Sequence, residues 1–175
     1  MPLDDFTTDR LAVRNWRAEL ADPARRMALE EALEPILTPP VLAHLPPPLQ
    51  LTGSPGGVPD WVSARAAESD VARIVEVATT SLIGLLILAR EIEAGEPETA
   101  HLGYLFAERS WGKGYASELL SGLVAAAQQD GRPLRLVGGV GKDNPASARV
   151  LAKAGFTIDP GASTPDTDIF TRRIV

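Results

Sequence analysis

The sequence predicts an α+β protein built around one mixed sheet. Segments that alternate apolar and polar residues, as strands do, recur along the chain between segments of helical periodicity. Most neighbouring strand segments are close enough in the chain to pair antiparallel, but a long helical segment that begins after Arg109 separates one pair. That helix predicts a single parallel crossover within an otherwise antiparallel sheet, which is an α+β arrangement.

The predicted elements follow from periodicity and from the positions of proline and glycine. In chain order they are a strand at 8–16, a helical segment at 18–37, a short helix from Thr38, a loop at 46–59, strands at 71–77, 82–89 and 99–106, a helix from the 112–114 turn to Gly131, a strand at 134–140, a helix from Asn144 to Gly155, and strands at 156–158 and 168–174. No repeat or linker divides them, so we expect one domain over residues 1–175.

Proline sets the predicted boundaries in the first half of the chain. Pro23 and Pro35 interrupt the first helical segment, since proline lacks the N–H that a helix interior needs. Thr38 precedes a proline pair and is typical of an N-cap. Five prolines, three of them consecutive, and three glycines at 46–59 predict a loop. The predicted buried positions of the first helical segment are Leu20, Met27, Leu33 and Leu37.

In the second half, periodicity predicts which side chains share a face. Within the strand at 99–106, His101, Gly103 and Leu105 lie on one face and the intervening residues on the other. The following helix carries an apolar stripe from Leu119 to Ala127. Residues 78–81 lie between two strand segments and predict a hairpin turn.

Composition excludes several classes of function. The 175 residues include no cysteine and two histidines, so neither a thiolate intermediate nor a cysteine- or histidine-rich metal site is expected. A net charge of −6 argues against a nucleic-acid partner. The longest apolar run, 82–89, is too short to cross a membrane, and the first residues lack a signal-peptide pattern. We therefore expect a cytoplasmic protein that binds no metal, nucleic acid or membrane.

The turn before the long helix is the main candidate site. It consists of Arg109, Ser110, Trp111, Gly112, Lys113, Gly114, Tyr115 and Ala116. A glycine turn between a strand and a helix leaves backbone N–H groups unpaired at the positive end of the helix dipole, which suits an anion such as phosphate. The spacing fits neither a P-loop nor a dinucleotide-binding fingerprint.

The remaining pattern, Arg-x-x-Gly-x-Gly-x-Ala, resembles the pyrophosphate-binding motif of the GCN5-related N-acetyltransferases. Residues 102–106 followed by 111–116, and the opening 8–11 with Arg14, are similar to the RimJ/RimL-type branch, whose members acetylate protein N-terminal amines. Asn144-x-x-Ser147, followed by 153–156, resembles the second cofactor motif of the family. The resemblance covers nearly the whole chain and implies a mostly antiparallel sheet of about six to seven strands flanked by about four helices.

The resemblance implies that acetyl-CoA is the cosubstrate. The N–H groups of 109–116 would hold its pyrophosphate, and the backbone at Tyr104 and Leu105 would pair with the pantetheine amides as an added strand. Asn144 would bind the pantetheine arm, and splayed strands would turn N–H groups toward the thioester oxygen. Without a cysteine, direct attack by the amine in a ternary complex is expected.

Two residues are candidates for proton transfer. Many family members use a tyrosine on the last helix to protonate the leaving thiolate, but the matching position here is Leu151. The resemblance to RimL-like proteins implies Ser147 for that role, although a serine in a first helical turn is also common for capping alone. His101 stands where the family often has a glutamate base, and a neutral imidazole can accept a proton near pH 7.

The acceptor is expected to be a primary amine, best a protein or peptide N-terminus. An α-amine has a pKa of about 8 against about 10.4 for lysine, so a modest base suits it better. A small amine, such as an aminoglycoside, polyamine or amino acid, is the alternative that an acidic cleft would favour. A non-catalytic acyl-CoA-binding protein is the other alternative, and a homodimer is left open. We expect the first two helices and the loop at 46–59 to wall the acceptor side.

Overall fold

All strands of the computed structural model, which describes residues 5–51 and 56–175, join one eight-stranded sheet. The strands are β1 (Phe6–Thr7), β2 (Leu11–Asn15), β3 (Asp70–Glu76), β4 (Leu82–Glu91), β5 (Glu98–Phe106), β6 (Leu134–Gly141), β7 (Thr157–Ile158) and β8 (Thr167–Ile174). The helices are α1 (Arg17–Leu20), α2 (Pro23–Leu33), α3 (Pro39–Leu42), α4 (Val58–Glu68), α5 (Tyr115–Asp130) and α6 (Pro145–Lys153). The strand order is β1-β2-β3-β4-β5-β6-β8-β7, and only β5 and β6 are parallel.

This architecture confirms the predicted α+β class and its single parallel crossover, with more elements than expected. Strand β1 is two residues long and pairs with β2 through Phe6 and Val13, so it is too short to show an alternating pattern. Helix α4 was missed because glycine and proline before it favoured a loop. Residues 52–55 of the predicted loop lie outside the described residues.

One predicted core position, Met27, is wrong. Its side chain is 59% exposed, whereas α2 buries Leu29 and Leu33. Residues four apart lie on the same face of a helix, and a residue two positions before Leu29 points away from that face. The helical segment breaks at Pro23 as predicted, and Leu33 and Leu37 are buried.

The sheet has a core on each face. Helices α5 and α6 pack on one face, where the buried residues include Leu86, Leu88 and Leu119. The N-terminal helices α1 to α4 cover the other face, where Leu85 and Ile87 are buried. Because successive residues of a strand point to opposite faces, the continuous apolar run in β4 reflects burial on both sides.

Strands β5 and β6 pair over a short distance and then separate. Their register runs from Glu98 opposite Leu134 to His101 opposite Val137 and no further. Beyond that point β5 continues to pair with β4, and β6 continues to pair with β8. The edge of β5 at 102–106 therefore faces a gap in the sheet, with no strand partner among the described residues.

Glu118 ties the first strands to the start of α5. Its carboxylate accepts hydrogen bonds from the Thr8 hydroxyl at 2.6 Å, from the Arg10 main-chain N–H at 2.8 Å and from Arg10 Nε at 2.6 Å. Burial acts to raise the pKa of the Glu118 carboxyl, but the hydrogen bonds from Thr8 and Arg10 outweigh it, so the pKa lies below its ordinary value. The ionised carboxylate thus stabilises the fold.

We predict that Glu118→Gln lowers the free energy of unfolding at pH 7 by about 1–3 kcal/mol, because hydrogen bonds to a charged group are lost. A carboxyl whose pKa is lowered by folding contributes stability above its unfolded pKa of about 4.3, and this contribution is lost as the pH falls through the folded pKa. Urea unfolding at several pH values should therefore show the difference from wild type shrinking below about pH 4. The exposed residue Glu31, changed to Gln, is the control; a gap independent of pH would contradict the prediction.

Candidate active site

The turn before α5 is open to a ligand. Gly112 and Gly114 have φ values of 71° and 79°, a left-handed conformation that favours glycine. A Cβ built on Gly112 would meet no atom within 4 Å. Within the described part of the chain, the main-chain N–H groups of residues 112–117 donate no hydrogen bond, and the first that does is Glu118 N, to Gly114 O at 3.1 Å. These amides lie at the positive end of a 16-residue helix, an arrangement that suits an anion.

Arg10 holds this turn in place. Its Nη1 donates to Lys113 O at 2.9 Å, and its guanidinium lies 4.5 Å from the centre of the Tyr115 ring. The Tyr115 hydroxyl donates to Glu76. Hydrogen bonds from Thr79 and then from Tyr115 lower the pKa of Glu76, and the bond to Glu76 raises the pKa of Tyr115. Sequence reasoning noted Arg10 only as part of an opening motif and missed this contact with the glycine turn.

A cavity of about 1090 Å³ begins at the turn and passes through the gap between β5 and β6. The sequence-predicted site residues that line it are His101, Tyr104, Leu105, Ser110, Trp111, Gly112, Gly114, Tyr115, Ala116, Asn144 and Ser147. Arg109 and Lys113 do not line it. The Arg109 guanidinium donates to Leu82 O at 2.8 Å, and Lys113 supplies the carbonyl that Arg10 binds.

Ser147 is surrounded by hydrogen-bond donors. The Tyr104 hydroxyl donates to Ser147 Oγ at 3.3 Å, and Asn144 Nδ2 donates to the same oxygen at 3.2 Å. Asn144 Oδ1 accepts from Ser147 N at 3.2 Å and caps α6, as predicted. Burial raises the pKa of Tyr104, and its bond to Ser147 opposes this rise. With both lone pairs occupied, the Ser147 hydrogen is available to an acceptor in the cavity.

His101 reaches the cavity from the other face of the sheet. Its Nε2 lies 3.4 Å from Glu91 Oε2, and both side chains are more than half exposed, at 51% and 58%. Leu151 is buried in the core, 1% exposed, so no polar group occupies that position of α6.

The second half of the cavity, which we call the acceptor half, lies on the face covered by α3, the Pro47–Leu49 turn and α4. Its residues include Val41, His44, Leu45, Pro46, Leu49, Arg65, Glu68, Ile87 and Ala89. The buried Trp61 supports this wall, because its Nε1 donates to Leu49 O at 2.9 Å. Thr38 Oγ1 donates to Glu108 Oε2 at 2.8 Å and so links α3 to the segment after β5.

A sheet that separates beside an open row of amides, with a donor-lined cavity through the gap, can hold a long phosphorylated cosubstrate such as a CoA thioester. The sequence model described as "Acetyltransferase (GNAT) domain" matches residues 10–157. The chain therefore belongs to the GCN5-related N-acetyltransferase family and is an N-acetyltransferase. Proteins of this family use acetyl-CoA, and the open amides and the cavity fit that cosubstrate.

Solved structures agree with this assignment at the level of the fold. A GNAT-family acetyltransferase from Bacillus anthracis has a TM-score of 0.72 at 18% identity, with 98% of each chain covered. The ribosomal L7/L12 α-N-protein acetyltransferase RimL, in complex with coenzyme A, has a TM-score of 0.71 at 19% identity, with 98% of each chain covered. An acetyltransferase from Salmonella typhimurium that modifies the N-terminal serine of L7/L12 has a TM-score of 0.68 at 20% identity, covering 98% of this chain and 100% of that chain.

No curated protein matches the chain in sequence. Among residues 5–51 and 56–175, no helix has the length and apolar composition to cross a membrane. The same residues contain no cluster of three or more His, Asp or Glu side chains that could hold a metal ion.

We predict that Gly112→Ala weakens CoA binding at least about tenfold, since a Cβ would occupy the open space at the amides and strain the backbone by roughly 1–2 kcal/mol. Gly131→Ala is a matched control. Gly131 also has a φ of 71° with no atom near its Cβ position, but it ends α5 and does not line the cavity. Both variants should lose similar stability in thermal unfolding, and calorimetry with CoA should separate them. Equal CoA affinities would remove the turn from cofactor binding.

Proposed function

We propose that this enzyme acetylates a primary α-amine at a protein or peptide N-terminus by direct attack on acetyl-CoA in a ternary complex. One observation carries the proposal: the cavity joins the two faces of the sheet through the gap between β5 and β6. A cosubstrate held at the turn before α5 can thus meet an acceptor that enters from the opposite face. The fold shared with two L7/L12 N-terminal acetyltransferases supports the same acceptor class.

In this proposal the cofactor side uses main-chain groups. The free N–H groups at 112–117 bind the pyrophosphate, and the unpaired edge of β5 at Tyr104 and Leu105 pairs with the pantetheine amides. Asn144 orients Ser147 and keeps its second Nδ2 hydrogen for the pantetheine arm. Acetyl-CoA supplies the activated acetyl group.

One residue on each side of the gap transfers a proton: Ser147 donates one and His101 accepts one. The acceptor nitrogen forms a bond to the thioester carbon, the carbon–sulfur bond breaks, and Ser147 donates its proton to the leaving thiolate. Tyr104 and Asn144 donate to Ser147 Oγ and stabilise the charge that develops there. His101 accepts the proton that the amine loses. Ser147 and Tyr104 together take the role of the tyrosine that many family members have where this chain has Leu151.

The residues of the acceptor half argue against polycationic small amines as acceptors. Of the described residues that line it, Glu68 is the one carboxylate, and apart from His44, Arg65 and Ser69 the walls are apolar. An aminoglycoside or polyamine site needs several carboxylates to pair with several ammonium groups.

The first test combines thermal shift with turnover. Acetyl-CoA and CoA should both raise the melting temperature, because each binds only the folded protein. Thiol release should then be faster with short N-terminal peptides than with spermidine, kanamycin or a peptide whose only amine is lysine. Stabilisation without turnover on any amine would indicate a binding protein and overturn the proposal.

We predict that Ser147→Ala lowers kcat by about 10²–10⁴-fold, the usual contribution of a general acid, and leaves CoA affinity nearly unchanged. Tyr104→Phe keeps the ring in place beside Phe106, removes one donor to Ser147 Oγ and should lower kcat less. Single-turnover kinetics and calorimetry measure both quantities. Ser163→Ala is the control, because Ser163 lies outside the cavity. A wild-type rate for Ser147→Ala would exclude this serine from the chemistry.

A further inference from the structure

We propose that Arg65 is a carboxylate-binding residue in the acceptor half, so that the preferred acceptor carries a carboxylate close to its amine. Such a carboxylate belongs either to an acidic side chain next to a peptide N-terminus or to a free amino acid. This inference rests on the α-amine acetylation of the proposed function, because it names a chemical feature of the acceptor for the same site. A preference shown only by free serine would support the role of Arg65 and overturn the peptide acceptor.

Arg65 is unusual among the charged residues because it is buried and also lines the cavity. The residue is 5% exposed, and its Nε is buried with no hydrogen-bond partner among the described residues. Such groups are rare in native proteins because they lose water without replacing its hydrogen bonds. The other residues with an atom in this state are Asn15, Glu19 and Arg73, and none of them lines the cavity.

The charge of Arg65 is only partly compensated. Its Nη2 lies 3.0 Å from Glu68 Oε2, but the Glu68 side chain is 60% exposed and remains largely hydrated. An ion pair with such an exposed partner contributes little. The other neighbour is the ring of Trp61, whose centre is 5.9 Å from the guanidinium carbon. A guanidinium has five N–H donors in a planar fork, so donors remain for a ligand.

A carboxylate fits this environment better than other charged groups. The guanidinium fork matches a carboxylate in two parallel hydrogen bonds, and both groups are then removed from water together. A cationic group would be repelled by Arg65. The single positive charge of Arg65, which already pairs with Glu68, could not neutralise a doubly charged phosphate. Because the whole chain carries a net charge of −6, recognition of an anion has to come from such a local contact.

The test measures kcat/KM for two matched acceptor pairs with acetyl-CoA. One pair is a peptide beginning Ser-Asp and the same peptide beginning Ser-Asn; the other is serine and serinamide. We expect wild type to prefer the carboxylate member of at least one pair by about 10- to 100-fold, the value of a hydrogen-bonded charge. The pair that shows the preference identifies the source of the carboxylate.

Three variants complete the test. Arg65→Met should bring the preference close to one by slowing the carboxylate acceptor, and Arg65→Lys, which keeps the charge and the buried stem, should retain part of it. Arg25→Met is the control, because Arg25 is exposed on α2 and does not line the cavity. Melting temperatures and CoA affinity establish that each variant is folded.

The outcomes separate the two proposals. If wild type turns over peptide amines with no carboxylate preference, or Arg65→Lys and Arg65→Met both keep the preference, the Arg65 inference is wrong and the proposed function stands. If no amine in either pair or in the wider panel is acetylated, both fail.

Discussion

The rest of the site depends on the separation of β5 from β6 after four paired residues. A parallel pair held over its full length would satisfy the backbone of β5 and close the sheet. Here β4 holds β5 on one side and β8 holds β6 on the other, so the two strands diverge without losing the sheet. The gap gives the two faces a shared cavity and leaves one edge of β5 available for hydrogen bonding to a ligand.

The turn before α5 solves a related problem of backbone hydrogen bonding. A row of N–H groups without partners is costly unless water or a ligand accepts from them. The protein keeps them available by contacts made elsewhere: Arg10 binds the Lys113 carbonyl, and Glu118 binds Arg10 and Thr8. These contacts hold the turn in place although its own donors are free, and the positive end of the helix is a local feature in a chain of net charge −6.

The polar groups of the cavity divide by face. Ser147 with Tyr104 and Asn144 forms a hydrogen-bonded group on the face of α5 and α6, and His101 and Arg65 lie on the face of α3 and α4. In the proposed reaction this division puts the donor for the leaving thiolate and the base for the amine on opposite sides of the reacting carbon. The proposed role of Arg65 would add selectivity on the acceptor side alone.

The hydrophobic periodicity of the sequence and the positions of its prolines and glycines were enough to determine the α+β class, the parallel crossover and the glycine turn, because these features are local in the chain. The family motifs named Ser147 and His101, and their roles stay predictions. Tertiary structure alone decided that Arg10 braces the turn, that the Tyr104 hydroxyl reaches Ser147 across 43 positions, and that α4 brings Arg65 into the cavity. These contacts join residues far apart in the chain, and no local pattern encodes the sheet order that makes them neighbours.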